Sequence, residues 1–72
     1  MIAESPASIA KLIRLRRKEL GLTQAELAEL AGVSPRFVFD LENAKPTVAL
    51  DKFRLVLKAL GLSLALEVRA VG

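Results

Sequence analysis

The side chains that could do chemistry in this 72-residue chain are carboxylates, amines, guanidinium groups, hydroxyls and amides, because it contains no Cys and no His. That composition leaves no disulfide, no thiolate or imidazole for catalysis and no cysteine–histidine zinc site. The carboxylates form no pair that indicates a general acid and base. We therefore expect a protein that is not an enzyme and that uses no metal and no cofactor.

The overall composition points to a binding partner instead. The chain carries 11 Lys and Arg against 8 Asp and Glu, a net charge of +3, and 53% of its residues are hydrophobic. A chain this short has little interior in which to bury so much apolar surface. No stretch approaches the ~18 apolar residues of a membrane span, and the first residues lack the pattern of a signal peptide. We expect a cytoplasmic protein with no membrane partner.

Start and stop signals predict four helices. Ser-Pro pairs at 5–6 and 34–35 begin the first and third, because Ser is a good N-cap and Pro suits the first helical position. A capping box formed by Thr23 and Glu26 begins the second helix, and the fourth follows Thr47. Glycines end the first, second and fourth helices. The expected helices run from about 6 to 20, 24 to 32, 35 to 42 and 48 to 60.

Apolar residues at helical spacing predict the buried faces. Val38 and Leu41 are expected to hold the third helix to the body, with Phe37 also in the core. Over the other three helices the apolar positions are Ile9, Leu12, Ile13 and Leu20, then Leu27, Ala28, Leu30 and Ala31, then Leu50, Phe53, Leu57 and Leu60.

The last segment changes to a two-residue period, which is typical of a half-buried strand. Its apolar positions are Leu62, Leu64, Leu66 and Val68. A single strand has no partner in its own chain, and an open edge invites another strand. The pattern therefore predicts a two-stranded ribbon between two copies related by a two-fold axis, with a frayed tail as the alternative. This divides the chain into a helical domain, 1–61, and a dimerisation strand, 62–72.

The second and third helices, with Ala31-Gly32-Val33-Ser34 between them, fit a helix-turn-helix. In that motif the first helix crosses the DNA backbone and the second enters the major groove with its N-terminus leading. Gly32 allows the tight turn, Val33 is expected to plug the interior, and Ser34 caps the second helix near the groove.

At these residues the sequence resembles a known family. Leu22-Thr23-Gln24-Ala25-Glu26-Leu27-Ala28, then Gly32-Val33-Ser34-Pro35, then Leu41-Glu42-Asn43-Ala44-Lys45-Pro46 are similar to the phage-repressor-like, Xre-type helix-turn-helix proteins. The length and the added C-terminal strand are similar to HipB-type antitoxins. That resemblance implies a homodimer that represses its own operon and binds a HipA-type kinase toxin.

The resemblance also implies roles for individual residues. Gln24 matches a residue that grips a phosphate at the start of the second helix, and Asn43 and Lys45 match a turn that touches backbone phosphates. Arg17 and Glu42 match a structural salt bridge between the first and third helices. Base-edge and phosphate contacts fall on Ser34, Pro35, Arg36, Phe39 and Asp40.

Several of these residues depart from the family pattern. Pro35 stands where a Gln is common, and Ala44 replaces the usual Gly. Phe39 either packs on a thymine methyl group or serves a protein contact, and Asp40 could accept from a cytosine amino group. Arg36 is left as the best candidate for reading guanine.

The sequence thus predicts a DNA-binding repressor of the antitoxin kind, acting as a homodimer on palindromic double-stranded DNA. The alternative is a protein-interaction adaptor or toxin-neutralising module with little specific DNA binding, which Pro35 and Phe39 favour. The basic run formed by Arg14, Arg16, Arg17 and Lys18 spreads around its helix, so we interpret it as a solvated face.

Overall fold

The protein is described by a computed structural model over residues 6–63. This part of the chain contains four helices and no strand. They are α1 (Pro6–Glu19), α2 (Gln24–Ala31), α3 (Pro35–Glu42) and α4 (Leu50–Ala59). The predicted four-helix, mainly α architecture is confirmed. The expected N-cap Ser5 and the strand positions Leu64, Leu66 and Val68 lie outside the described residues.

Two helices begin as their sequences predict. At the start of α2 the Thr23 hydroxyl accepts from the Glu26 amide at 3.0 Å, and the Glu26 carboxylate accepts from the Thr23 amide at 2.8 Å. At the start of α3 the Ser34 hydroxyl accepts from the Phe37 amide at 3.1 Å. These bonds satisfy amide groups that have no partner within the helix.

All four helices end in the same backbone arrangement, the Schellman motif, which needs a left-handed residue after the last turn. Gly21, Gly32 and Gly61 supply it with φ between 70° and 74°. After α3 the left-handed residue is Ala44, with φ 60°. An L-residue with a side chain is disfavoured in this conformation by roughly 1–2 kcal/mol, so the end of α3 carries strain that the other three ends avoid.

The core lies where α2 contacts α3 and α4, and α1 packs on α3. Ile13, Leu27, Val38, Val56 and Leu60 are its fully enclosed side chains. Phe37 and Val33 pack against this cluster from its edge, as expected. Within residues 6–63, no helix is both long and apolar enough to cross a membrane.

The start of α4 differs from the prediction. The helix begins at Leu50 rather than directly after Thr47, and its N-cap is Ala49, which makes no side-chain capping bond. Val48 packs against the core from the connecting segment, and Ala49 is extended with φ −69° and ψ 121°. Anchoring Val48 in this way keeps the segment extended for two more residues than the Thr47 signal indicates.

Helical spacing also overestimates the buried faces. The prediction that Leu30 points inward is wrong, because this residue is 65% exposed. Successive residues are about 100° apart around a helix, so burying Ala31 on the face of Leu27 and Ala28 turns Leu30 away. Leu12, Leu20 and Leu50 are likewise exposed, at the margins of their helices' apolar stripes.

Candidate nucleic-acid interface

The turn between α2 and α3 sets the direction of α3. Gly32 is left-handed, and the Val33 amide donates to the Ala28 carbonyl at 3.0 Å, which closes the end of α2. Val33 is half-buried against the core, so the chain re-enters the body before α3 starts at Pro35. Two short helices joined by such a tight turn form a helix-turn-helix.

α3 has one buried and one exposed face. Val38 and Leu41 are buried in the core. Ser34, Pro35 and Arg36, at the N-terminal end, are exposed. Phe39, one turn further along, is 46% exposed although it is a large aromatic residue. The structure therefore presents most of the predicted base-contacting residues together on the outer surface of the second helix of the motif.

Arg36 and Phe39 form, together with the partly buried Asp40 and with Lys45 from the turn after α3, what we call the exposed cluster. The Arg36 Nε donates to Asp40 Oδ1 at 3.1 Å, and the Lys45 Nζ lies 3.6 Å from Asp40 Oδ2. The guanidinium carbon of Arg36 lies 5.5 Å from the centre of the Phe39 ring, a cation–π contact. One carboxylate thus connects the helix to the turn that follows it.

Asn43 lies beside the exposed cluster, at the end of α3. Its side-chain amide nitrogen donates to the Phe39 carbonyl at 2.7 Å. The same carbonyl also accepts from the Asn43 backbone amide at 3.0 Å, so the side chain adds a second bond at the end of α3. Because the amide has a second N–H, Asn43 can hold the turn and still donate outward.

A second set of charges, which we call the buried network, consists of Arg17, Gln24 and Glu42. Arg17 Nε and Nη2 donate to the two oxygens of Glu42 at 2.7 and 3.0 Å. The Gln24 Nε2 donates to Glu42 Oε1 at 3.1 Å. The Glu42 side chain is completely buried. Arg17 and Glu42 form a bidentate ion pair between α1 and α3, and the hydrogen bond from Gln24 adds α2 to the network.

The surroundings of Glu42 favour its charged form. Burial alone raises the pKa of this carboxyl, but the hydrogen bonds from Arg17 and Gln24, helped by the charges of Arg17 and Arg14, outweigh that effect. The net result is a Glu42 pKa below its usual value. The same hydrogen bond raises the pKa of the Arg17 guanidinium. Both partners remain ionised, so the network is a true ion pair inside the protein.

Gln24 links the buried network to the surface. It is the first residue of α2 and is only partly buried. One of its two amide N–H groups is used by Glu42, which leaves the other for an outside acceptor. The helix N-terminus at this point also favours anions. The buried Glu42 carboxylate therefore holds the Gln24 side-chain amide in a position from which its second N–H can donate to an outside acceptor.

The basic run on α1 has a role that the sequence did not reveal. Arg14 Nη2 donates to the Glu42 carbonyl at 3.3 Å, and Arg16 Nε donates to the Leu60 carbonyl at 2.9 Å. Arg17 also donates to the Leu22 carbonyl at 2.7 Å. Cations and donors near helix C-termini satisfy terminal carbonyls and the helix dipole. The interpretation as a solvated face therefore misses the carbonyl contacts of Arg14 and Arg16, whereas Arg17 forms the structural pair with Glu42 that the resemblance implied.

The functional groups on this surface are suited to binding a partner. It offers guanidinium, ammonium, amide and hydroxyl donors beside one aromatic ring. Among residues 6–63, no group of three or more Asp, Glu, Cys or His side chains could hold a metal ion.

The fold and site define a helix-turn-helix protein, in which a short second helix exposes a basic, partly aromatic face. The chain belongs to the helix-turn-helix family of transcriptional regulators, whose profile, described as Helix-turn-helix, matches residues 13–66.

Two related proteins are similar to this chain over most of its length. The chain is 49% identical over 61 residues to an uncharacterized HTH-type transcriptional regulator, y4mF, of Sinorhizobium fredii, covering 85% of this chain and 80% of that one. It is 34% identical over 62 residues to the antitoxin HipB of Escherichia coli K12, covering 86% of this chain and 70% of HipB.

Solved structures show the same likeness. The chain matches a structure of the HipA-HipB-O2-O3 complex with a TM-score of 0.85 and 30% identity, over 97% of this chain and 99% of that one. A HipB-O4 20mer complex matches with a TM-score of 0.84 and 30% identity, over the same shares of the two chains. A restriction-modification controller protein of Aeromonas hydrophila matches with a TM-score of 0.72 and 26% identity, over 81% and 84%.

Proposed function

We propose that this protein is a sequence-specific DNA-binding repressor that acts as a homodimer on palindromic double-stranded DNA. The observation that carries the proposal is the exposed cluster on the second helix of the helix-turn-helix, where Arg36 and Lys45 share one carboxylate beside the Phe39 ring. That helix is the one that enters the major groove in proteins of this kind. Solved complexes of HipB neighbours with 20mers support the proposal.

The flanking residues supply phosphate contacts. Gln24 donates from the start of α2, and Asn43 and Lys45 donate from the turn after α3. Ser34 and Pro35 lie at the exposed N-terminus of α3, where the helix dipole favours a phosphate. Contacts of this type displace counterions, so the affinity falls steeply as salt rises.

The dimer is proposed to form through the C-terminal segment, 62–72. Leu62 is half-buried against the core, and its amide closes α4 by donating to the Leu57 carbonyl at 2.8 Å. Leu62 is irregular in the structure rather than part of a strand. Next to it lies an open groove whose apolar lining comes from Leu50, Leu55 and Leu57, with Arg54 and Lys58 also lining it. Exposed apolar surface at this point supports a dimer in which Leu64, Leu66 and Val68 pair with the second copy.

Truncation tests the dimer without disturbing the end of α4. A chain ending at Ser63 keeps Leu62 and its hydrogen bond to Leu57. Light scattering should give a dimer for the full chain and a monomer for the truncated one. An unchanged dimer after truncation would overturn the ribbon.

The antitoxin role rests on the relatives. HipB antitoxins match most of this chain, and one neighbouring structure contains both HipA and HipB. We infer that the protein represses its own operon in the cytoplasm and binds a HipA-type kinase toxin. Co-expression with a HipA-type kinase from the same operon, which the proposal requires, should yield a complex that co-elutes in gel filtration and binds the operon's promoter. Separate elution of the two proteins would contradict the toxin partnership and leave the repressor proposal standing.

Titration of the operon's own promoter tests the repressor. Arg36→Ala should cost ~1–3 kcal/mol of binding free energy and relax base preference at one position, whereas Lys45→Ala should weaken all sequences equally. Fluorescence anisotropy at several salt concentrations measures both effects. Binding by the parent protein that is blind to sequence would contradict the proposal. It would favour the alternative of a protein-interaction adaptor, for which the exposed Phe39, Leu15 and Leu30 are the supporting features.

A further inference from the structure

Asp40 is an unexpected residue on a surface proposed to face DNA, because phosphates repel a carboxylate. Its side chain is only 19% exposed, and both of its oxygens face cations. Oδ1 accepts from Arg36 Nε at 3.1 Å, and Oδ2 lies 3.6 Å from Lys45 Nζ. The carboxylate is thus turned toward two cations of the protein itself, and little of it is exposed to an outside group.

The bond to Asp40 uses only one edge of the Arg36 guanidinium. Within residues 6–63, the two terminal amino groups of Arg36 form no hydrogen bond, and the side chain is 78% exposed. Those two groups are a suitable fork for the N7 and O6 acceptors of guanine. Asp40 therefore holds the stem of the guanidinium and leaves its recognition edge open.

Phe39 lies next to the Arg36 guanidinium and adds an apolar surface to the proposed contact with DNA. Its ring lies 5.5 Å from the Arg36 guanidinium carbon and is 46% exposed. An apolar ring in the major groove packs on the 5-methyl group of thymine, the one apolar group displayed there. Bases on one strand rise by about 3.4 Å per step. A 5.5 Å separation therefore places the thymine within one or two base pairs of the guanine.

We propose that Asp40 is a positioning residue that aims Arg36 at a guanine, and that Arg36 and Phe39 together read a guanine with a thymine within two base pairs in each half-site. This inference rests on the proposed DNA-binding function and adds its base preference. Asp40 acts through Arg36 and Lys45 and touches no base itself.

The sign of the Asp40 effect separates positioning from simple repulsion. If the carboxylate only repelled phosphates, its removal would tighten binding to every sequence. If it positions Arg36, Asp40→Ala lowers the preference for guanine while binding to unrelated DNA stays the same or tightens. Asp40→Asn keeps an oxygen acceptor and should retain more of the preference. Asp51→Ala removes an equal charge from an exposed position in α4 and serves as the control.

The experiment starts by selecting bound duplexes from a random pool with the full chain. Anisotropy titrations then compare the selected duplex with one in which the guanine is replaced by adenine. We expect the parent protein to prefer guanine at least about 10-fold, Asp40→Ala to lose most of that ratio, and Asp51→Ala to keep it. Thermal melts followed by circular dichroism verify that each variant is folded.

A second duplex, with uracil in place of the thymine, tests Phe39. Loss of the methyl group should weaken the parent protein about fourfold and leave Phe39→Ala unaffected. Uniform tightening of all sequences by Asp40→Ala, or an unchanged guanine ratio, would overturn the positioning role. Equal sensitivity of the parent and Phe39→Ala to uracil would overturn the thymine contact. A parent protein that selects no consensus would overturn the DNA-binding function itself.

Discussion

Asp40 and Glu42 are carboxylates on α3 that lie only two residues apart, and they have different surroundings and different roles. Glu42 points into the protein, and its side chain is completely buried between Arg17 and Arg14. Asp40 points outward, between Arg36 and Lys45. Each acid faces two cations, so composition does not distinguish them. The two carboxylates differ in their exposure to solvent and in the parts of the chain that they connect.

The buried network connects distant parts of the chain, because Glu42 receives hydrogen bonds from α1 and α2. The exposed cluster joins residues no more than nine positions apart, all on α3 or in the turn after it. Breaking a desolvated pair leaves an uncompensated charge, whereas solvent and salt screen an exposed pair. We therefore expect the buried network to control stability and the exposed cluster to control recognition.

The largest expected effect is the loss of the buried carboxylate. Glu42→Ala leaves the Arg17 charge without its partner and should cost about 3–5 kcal/mol of unfolding free energy. That cost is comparable to the whole stability of a small domain. Urea denaturation at one fixed protein concentration, followed by circular dichroism, measures the change.

Asp40→Ala is the matched control, since it removes an acid from the same helix. Its cost should stay below about 1 kcal/mol because its partners are solvated. Similar losses for the two variants would break the distinction between the buried network and the exposed cluster.

The next largest expected effect is the loss of stability from the buried network at low pH. The Glu42 pKa is lowered in the folded protein, so its contribution is fully present above the unfolded carboxyl pKa of about 4.3. That contribution disappears as the pH falls through the lower, folded value. Unfolding free energy measured between pH 6 and pH 2 should fall less steeply in Glu42→Gln than in the parent. Identical slopes in the two proteins would contradict this linkage.

The sequence predicted the local features of the fold well. The capping box at Thr23 and the Ser34-Pro35 start depend on neighbouring residues, and both were found. The bonds from Arg14 and Arg16 to carbonyls at the ends of α3 and α4 were missed. They join residues 28 and 44 positions apart, and no local pattern records such a distance.

In the candidate site, too, the local features were predicted and the contacts that depend on the fold were not. The resemblance placed Arg36, Phe39 and Asp40 on one helix, and spacing alone puts residues 36 and 40 side by side. It did not indicate that Asp40 spans to Lys45, because that contact depends on the left-handed turn at Ala44. The exposure of Leu30 also escaped the sequence, since the packing of α2 against two other helices decides which leucines are covered.

A smaller effect is expected at the turn that follows the two acids. Ala44 is left-handed at the end of α3, where the other three helices use Gly. Ala44→Gly should stabilise the protein by up to about 1 kcal/mol, because relief of the strain outweighs the greater flexibility of unfolded glycine. Thermal unfolding at fixed concentration measures the gain.

The reverse change gives a matched control for that turn. Gly21 has φ 70°, and a Cβ built there would meet no atom within 4 Å. Gly21→Ala should therefore lose stability through backbone strain alone, by roughly the amount that Ala44→Gly gains. A loss in Ala44→Gly would show that contacts of the Ala44 methyl group outweigh its strain.

The smallest effect is the stability contributed by the exposed pair itself. A double-mutant cycle on Arg36→Ala and Asp40→Ala, in the absence of DNA, should give a coupling of only about 0.3–0.5 kcal/mol, as for exposed helical pairs four residues apart. High salt should reduce it further. A coupling above 1.5 kcal/mol would mean that Asp40 and Arg36 form a structural pair like Arg17 and Glu42. A small coupling, alongside a large change in base preference, would show that the bond between Asp40 and Arg36 serves orientation rather than folding.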